Sequence, residues 1–296
     1  MTEPSPPPPE AGDVSFARTL LQFFVIPMLV VILGVGIFLG FAWLVSDDTT
    51  AAEQLQRIRS GGHREARQAA FELANRIQHG DPAEFRALGP DLVRAFEDAA
   101  PPADPWVRQY LALALGTLSE ATAVPALAAA LADPDETVRV YAAWALGSIG
   151  GGTAVSALGE ASRAEDAGLR TMAVYGLGAI GDPAGAEALR RAVDDPVLDV
   201  SVNAVVALAR IGDAAAAERL LGMMEPGYWA NVPGMLDGER ALARLSAVQA
   251  AGVLETPLVR VQLEEVAAND PDLKVREAAL SALAGHDDRP PGPNPR

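Results

Sequence analysis

The stretch from Val138 to Gly150, VRVYAAWALGSIG, recurs along the chain with a period of 31 residues. Its glycine position holds Gly116, Gly147 and Gly178, and then Ala209. An upstream segment keeps the same spacing at its leucines: Leu127, Leu158, Leu189 and Leu220. A period between about 20 and 50 residues that holds at several independent positions is typical of a solenoid, in which copies of one supersecondary unit stack on each other.

The pattern within one repeat predicts two helices joined by a turn. Counted from Arg139 as position 0, small or apolar residues stand at −1, +3, +4, +7 and +8, the spacing of an amphipathic helix. The preceding segment ends in Asp133-Pro134-Asp135, where the proline stops the first helix and Asp135 or Thr137 can cap the second. The same numbering applies to every second helix, with position 0 at Ala66, Arg108, Arg139, Arg170, Ser201, Arg244 and Arg276.

These helix pairs resemble the short, Ala-rich HEAT-like repeats that are also found in phycobilin lyases and in deoxyhypusine hydroxylase. The resemblance covers residues 49–285. It implies an all-α fold, a right-handed α-solenoid of about seven stacked helix pairs. It does not fix the function, because the family contains scaffolds, lyases and an iron enzyme.

The composition limits the classes of function. A formal charge of −16 on 296 residues counts against nucleic-acid binding, which needs a basic face. The absence of cysteine excludes disulfides, thiolate metal sites and cysteine nucleophiles. The histidines His63, His79 and His286 are scattered, and none is followed by glutamate, whereas deoxyhypusine hydroxylase binds iron with His-Glu pairs. We therefore predict no cofactor, no metal site, no catalytic residue and no small-molecule substrate.

An apolar run near the N-terminus predicts one transmembrane helix over residues 20–46. The 23 residues from Phe23 to Val45 carry no charge and are long enough to cross a hydrocarbon core of about 30 Å. A secretory signal peptide is the alternative, but this run is too long and no cleavage site follows it. Gly36 and Gly40 form a GxxxG pair that can pack a second membrane helix, although glycine is common in membrane helices generally. The Pro-rich segments 1–15 and 286–296 are predicted to be disordered tails.

The predicted cellular location follows from this transmembrane helix. We predict a single-pass protein of a bacterial inner membrane. Arg18 alone precedes the span, whereas Arg57, Arg59 and Arg64 follow it, and the positive-inside rule then favours a cytoplasmic solenoid. A single N-terminal anchor often exports a long domain, so both orientations stay open.

The Asp-Pro turns predict a structural ladder. Asp133, Asp195 and Asp270 each precede a proline, but these turns lack the ligand spacing of a calcium loop. We expect the aspartates to cap helices and to pair with arginines of the same or the neighbouring unit: Arg108, Arg139, Arg170 and Arg276.

Two features predict a surface for a partner. In the second helices, positions +2, +5 and +9 point away from the core, and in the family these helices line the concave groove. Large exposed apolar patches mark interaction sites, unless a neighbouring helix buries them. The predicted anchors are Tyr110, Leu113, Tyr141, Trp144, Met172 and Tyr175. The second feature is an insertion over residues 224–238, where Tyr228 and Trp229 form either a binding loop or a plug on the solenoid.

The favoured function is a non-enzymatic, membrane-anchored scaffold or accessory subunit that binds a protein partner, a subunit of a membrane complex, through the solenoid groove. A chromophore lyase or another enzyme of the HEAT-like family is the alternative. A purely structural spacer is the third possibility.

Overall fold

The computed structural model describes residues 28–29, 31–37, 50–101, 103–230, 232–254 and 256–287. The chain divides into two units, residues 1–50 and 51–296. In the first unit the described residues 28–29 and 31–37 are helical, and Gly36 lies in this piece. Among the described residues no helix has the length and hydrophobicity needed to span a bilayer. Most of the predicted span, including Gly40, and the tail over 1–15 lie outside the described residues.

The second unit is a row of helix pairs. Its described residues contain no strand. The helices of the pairs are numbered so that odd numbers are first helices and even numbers are second helices. Pairs one to four are α1 (Ala51–Ser60), α2 (His63–His79), α3 (Gly89–Asp98), α4 (Pro105–Thr117), α5 (Val124–Ala129), α6 (Glu136–Ile149), α7 (Gly152–Ala161) and α8 (Ala167–Ile180). Pairs five to seven are α9 (Ala186–Ala192), α10 (Leu198–Arg210), α11 (Ala217–Met224), α12 (Asp237–Ala251), α13 (Pro257–Asn269) and α14 (Leu273–Asp287).

Aspartates of the turns cap the second helices α6 and α8, as predicted for α6. Asp135 Oδ1 accepts hydrogen bonds from the backbone N–H groups of Thr137 and Val138, each at 3.0 Å, so Asp135 is the cap of α6. Asp166 caps α8 in the same way. The last helix, α14, continues to Asp287 and therefore includes the first two residues of the predicted tail; the ring of His286 there bonds to the Gly252 carbonyl at 3.0 Å.

The repeated glycines let consecutive second helices touch at the backbone. A Cβ added to Gly147 would lie 2.6 Å from the Cα of Gly176 in α8, closer than real Cβ contacts. Gly178 meets Ala207 of α10 at 2.7 Å in the same way. Position +8 of one second helix thus rests on position +6 of the next. This contact explains the period at the glycine position.

Arginines at position 0 connect neighbouring units at the turns. The ladder prediction is confirmed for three of the four arginines, and each pairs with an aspartate of the following unit: Arg108 with Asp133, Arg139 with Asp166, and Arg170 with Asp195. Arg244, which was not predicted, pairs with Asp270. The ion pair predicted for Arg276 is not formed within the described chain, where its Nη1 donates to the Asp270 carbonyl at 2.7 Å.

Candidate partner-binding face

The second-helix face consists of the side chains at positions −2, +2, +5 and +9 of the even-numbered helices. Of the predicted anchors on it, only Tyr175 is exposed, at 47% of its surface. The others are half-buried and pack against the core: Tyr110, Leu113, Tyr141, Trp144 and Met172. These side chains lie on the outward side of the second helices, but most of the aromatic rings support the stack as well as line its surface.

Trp144 shows why these rings are half-buried. Its ring lies over Gly116 of the preceding second helix, with one ring carbon 2.6 Å from where a glycine Cβ would stand. Because the helices approach so closely, position +5 of one helix covers position +8 of its neighbour. Tyr141 and Trp144 are therefore partly structural residues.

An aromatic cluster at the start of the face was not predicted. Phe71 and Trp106 are 51% and 47% exposed. The ring of Tyr110 lies between them, 5.4 Å from Phe71 in an edge-to-face contact and 6.4 Å from Trp106. The guanidinium of Arg67 stands 5.6 Å from the Trp106 ring and pairs with Asp104. The sequence pattern places both residues on the outward side of their helices, since Phe71 is position +5 of α2 and Trp106 is position −2 of α4, seven residues before +5.

A depression further along the face crosses three second helices. It has a volume of about 300 Å³ and lies between α8, α10 and α12. Tyr175 stands at one side, Asn203 and Arg210 in the middle, and Ser246 and Gln249 at the other side. The predicted outward positions of three successive units thus form one continuous surface.

The insertion is a plug, so the assignment of Trp229 as a partner anchor is wrong. Trp229 is buried to 1% exposure, and its Nε1–H donates to the Met223 carbonyl at 2.7 Å. Tyr228 is half-buried, packs edge-to-face on Trp229 at 4.9 Å and covers Gly222. An indole with its N–H satisfied gains more from burial than from exposure.

The side chains with shifted pKa values lie at the turns between helices and not on the second-helix face. The hydrogen bond from Arg170 lowers the pKa of Asp195, and the hydrogen bond from Arg139 lowers the pKa of Asp166. The hydrogen bond to Asp195 raises the pKa of Arg170. Perturbed pKa values often mark active sites, but here the shifted groups are members of ion pairs between neighbouring units. Among the described residues no group of histidine and acidic side chains has a metal-binding arrangement.

Comparison with known proteins supports the repeat architecture. A family model described as HEAT repeats matches residues 93–173 and 155–230. The complex of CpcE and CpcF of phycocyanin lyase from Nostoc sp. PCC7120 is similar with a TM-score of 0.51 at 19% identity, over 82% of this chain and 96% of that chain. The Escherichia coli protein YibA is similar with a TM-score of 0.54 at 14% identity, over 81% of this chain and 82% of that one. At these identities the likeness concerns the fold. No curated protein matched the sequence.

Proposed function

We propose that this HEAT-like repeat protein is a non-enzymatic, membrane-anchored scaffold or accessory subunit that binds a protein partner through its second-helix face. The observation that carries the proposal is the pair of exposed rings of Phe71 and Trp106 around the half-buried Tyr110, followed along the same face by the exposed Tyr175. Tyrosine, tryptophan and arginine are the residues that most often anchor protein interfaces. Arg67 beside Trp106 adds a cation to the cluster.

The charge distribution supports an uncharged or mildly acidic partner surface. The chain contains 39 acidic residues, yet among the four outward positions of all seven second helices Asp199 is the only acid. The same positions hold three basic residues: Arg64, Arg210 and Lys274. The face is therefore close to neutral on a strongly acidic protein. Interface cores are similarly depleted of charge.

Membrane attachment rests on the apolar run from Phe23 to Val45. In the described part of that run the side chains of Met28, Leu33 and Ile37 are exposed by more than half of their surfaces. Cysteine substitutions at Ser5 and Asn294, tested one at a time with a membrane-impermeant maleimide in intact cells, decide both attachment and side. Labelling at Ser5 alone would place the solenoid in the cytoplasm, and labelling at Asn294 alone would place it outside. Equal labelling at both positions would contradict a single span.

Photo-crosslinking tests the face itself. A photoreactive amino acid placed at Trp106 or Tyr175 in the full-length protein should give one shared crosslinked partner. The matched control is Ser156, an exposed residue of the first helix α7. Crosslinking of the same partner at Ser156 with equal yield would refute the assignment of the face. Purification with a covalently bound tetrapyrrole would favour the lyase alternative instead.

A further inference from the structure

The junction between units three and four shows what a complete rung of the arginine ladder contains. Arg139 at position 0 donates through Nη1 to two carbonyls of its own turn, Asp133 at 2.9 Å and Pro134 at 3.3 Å. These carbonyls stand at positions −6 and −5. The Nη2 of Arg139 donates to Asp166, which stands at position −4 of the next unit and caps α8. A complete rung thus consists of two turn carbonyls, a capping carboxylate and a guanidinium.

The junction between units one and two has the acceptors of a rung but not its arginine. Position 0 of unit one is Ala66. The carbonyls at positions −6 and −5 belong to Ser60 and Gly61, and position −4 of unit two is Asp104, which caps α4. Because α1 ends at Ser60, these carbonyls lie at a helix C-terminus, where carbonyls lack intrahelical partners and a cation is favoured.

A cavity of about 320 Å³ opens beside Ala66. Gly61 and Asp104 also line it, so three of the four residues of the incomplete rung surround it. One water molecule takes up about 30 Å³ in the liquid, so a volume about ten times larger can hold a whole side chain. The rest of the wall is largely small or apolar and suits the alkyl stem of an arginine: Ile58, Gly62, Ala95, Ala99, Ala103 and Val107.

The neighbouring Arg67 does not fill this cavity. Its side chain is 49% exposed and pairs with Asp104 on the side of Trp106, whose ring centre lies 5.6 Å from the guanidinium. Arg67 binds Oδ2 of Asp104, and within the described chain Oδ1 accepts only the Trp106 N–H, at 3.0 Å. Since each carboxylate oxygen can accept two hydrogen bonds, Asp104 has one acceptor position left.

The charges around the cavity favour a cation. Arg59 lies in its wall, but the Nη2 of Arg59 donates to the Asp91 carbonyl at 3.1 Å and lies 3.8 Å from the Asp91 carboxylate. Asp98 also lines the cavity, is exposed, and forms no ion pair within the described residues. Because Asp104 is paired with Arg67, the unbalanced charge of the wall is the negative charge of Asp98.

We propose that this cavity binds an alkylguanidinium group, the chemical group that ends an arginine side chain. The alkyl part lies against Ala66 and Val107. The guanidinium donates to the turn carbonyls and to Asp104, as Arg139 donates to the matching groups of its own rung. This inference does not rest on the proposed function, because the cavity lies at the turns and not on the second-helix face.

The experiment compares two peptide-like probes on the full-length protein: N-acetyl-L-arginine methylamide and its neutral isostere, N-acetyl-L-citrulline methylamide. We expect the arginine probe to shift the amide NMR signals of Gly61 and Gly62 in a saturable manner. The citrulline probe should bind about tenfold more weakly, because charge-assisted hydrogen bonds are about twice as strong as neutral ones. Equal binding of the two probes, or no shift with either at millimolar concentration, would overturn the proposal.

Agmatine identifies the source of the group. This molecule carries the same alkylguanidinium without a peptide backbone. Tighter binding of agmatine than of the arginine probe would indicate a free guanidine compound as the ligand, whereas tighter binding of the arginine probe would indicate an arginine side chain of a partner protein. Both results support an alkylguanidinium site.

Ala66→Arg completes the rung with a side chain of the protein itself. We expect a higher thermal midpoint and loss of binding of the arginine probe. Ala66→Met is the matched control, because methionine is also unbranched and fills the cavity without a charge. This control should block the probe without the same rise. A midpoint for Ala66→Arg at or below that of Ala66→Met would overturn the proposal.

Asp98→Asn separates a local charge from the general acidity of the chain. Asp98 lines the cavity, whereas its neighbour Glu97 is exposed and lies outside the cavity wall. We expect Asp98→Asn to weaken binding of the arginine probe several-fold and Glu97→Gln to leave it unchanged. Equal weakening by both substitutions would mean that the probe binds the acidic surface in general, and the cavity would then not be its site.

Discussion

Two neighbouring junctions of the solenoid are built differently. Between units four and five, Gly178 of α8 touches Ala207 of α10, and Arg170 holds Asp195 through two hydrogen bonds. Between units five and six, position +8 is Ala209 and position 0 is Ser201, so neither the glycine contact nor the arginine is present.

The second junction loses both partners of the ion pair together. The turn of unit six, which would supply the aspartate, is replaced by the insertion between α11 and α12, and Ser201 stands where the arginine would be. The insertion brings the buried Trp229, which lies within unit six and bonds the Met223 carbonyl. The ladder then resumes with Arg244 and Asp270. The regular junction combines backbone contact with a partly buried ion pair, whereas units five and six are joined by the more exposed pairs Arg190–Asp213 and Arg219–Asp194, and unit six is filled from within by Trp229.

Trp229→Ala should lower the free energy of unfolding more than any other substitution described below. Removing a fully buried indole leaves a cavity and should lower the free energy of unfolding by about 3–5 kcal/mol. Urea unfolding followed by circular dichroism measures this change. A loss below about 1 kcal/mol would show that Trp229 does not stabilise the irregular unit six.

Gly147→Ala tests backbone contact at the regular junctions. The added methyl group would meet the Gly176 backbone at 2.6 Å, so we expect a loss of about 1–3 kcal/mol despite the better helix propensity of alanine. Gly152→Ala is the matched control, because nothing lies within 4 Å of its Cβ position. Equal behaviour of the two variants in thermal unfolding would argue against close packing as the reason for the repeated glycine.

Asp195→Asn tests the ion pair and its pH dependence. The variant can keep the hydrogen bond to the Val197 N–H but loses the charged pair with Arg170, which should cost about 1–2 kcal/mol at pH 7. The folded protein lowers the pKa of Asp195, so this stabilisation is complete above the unfolded pKa of about 3.9 and is lost as the pH falls through the lower folded pKa.

Urea titrations between pH 7 and pH 2 should therefore show the gap between the wild type and Asp195→Asn closing in acid. Asp194→Asn, at a largely exposed neighbour paired with Arg219, should change little at any pH. A gap that stays constant down to pH 2 would mean that the pair with Arg170 is not what stabilises this junction.

Tyr175→Ser should have the smallest effect on stability. Tyr175 stands beside both junctions but is exposed, so the free energy of unfolding should change by about 0.5 kcal/mol or less. Leu177→Ala, two residues further along α8 and buried, should cost about 2–5 kcal/mol in the same assay. A similar loss for both variants would place Tyr175 in the core and remove it from the proposed face.

Local patterns in the sequence determined the repeat. Helix periodicity, the Asp-Pro turns and the 31-residue period depend on residues close together in the chain, and they predicted the helix pairs, the caps and most of the ladder. They also predicted which side of each second helix points away from the core. The position of the insertion followed from the slip in the period between Ser201 and Arg244.

Only the tertiary structure decided how far each outward residue is buried. Trp144 is half-covered because the neighbouring helix brings Gly116 beneath its ring, and Trp229 is buried because the Met223 carbonyl can accept its N–H. Leu280 obeys the core pattern of the repeat and is nevertheless exposed, because within the described chain no unit follows α14. The periodicity of a helix is a local property, whereas burial depends on what the next unit places against it.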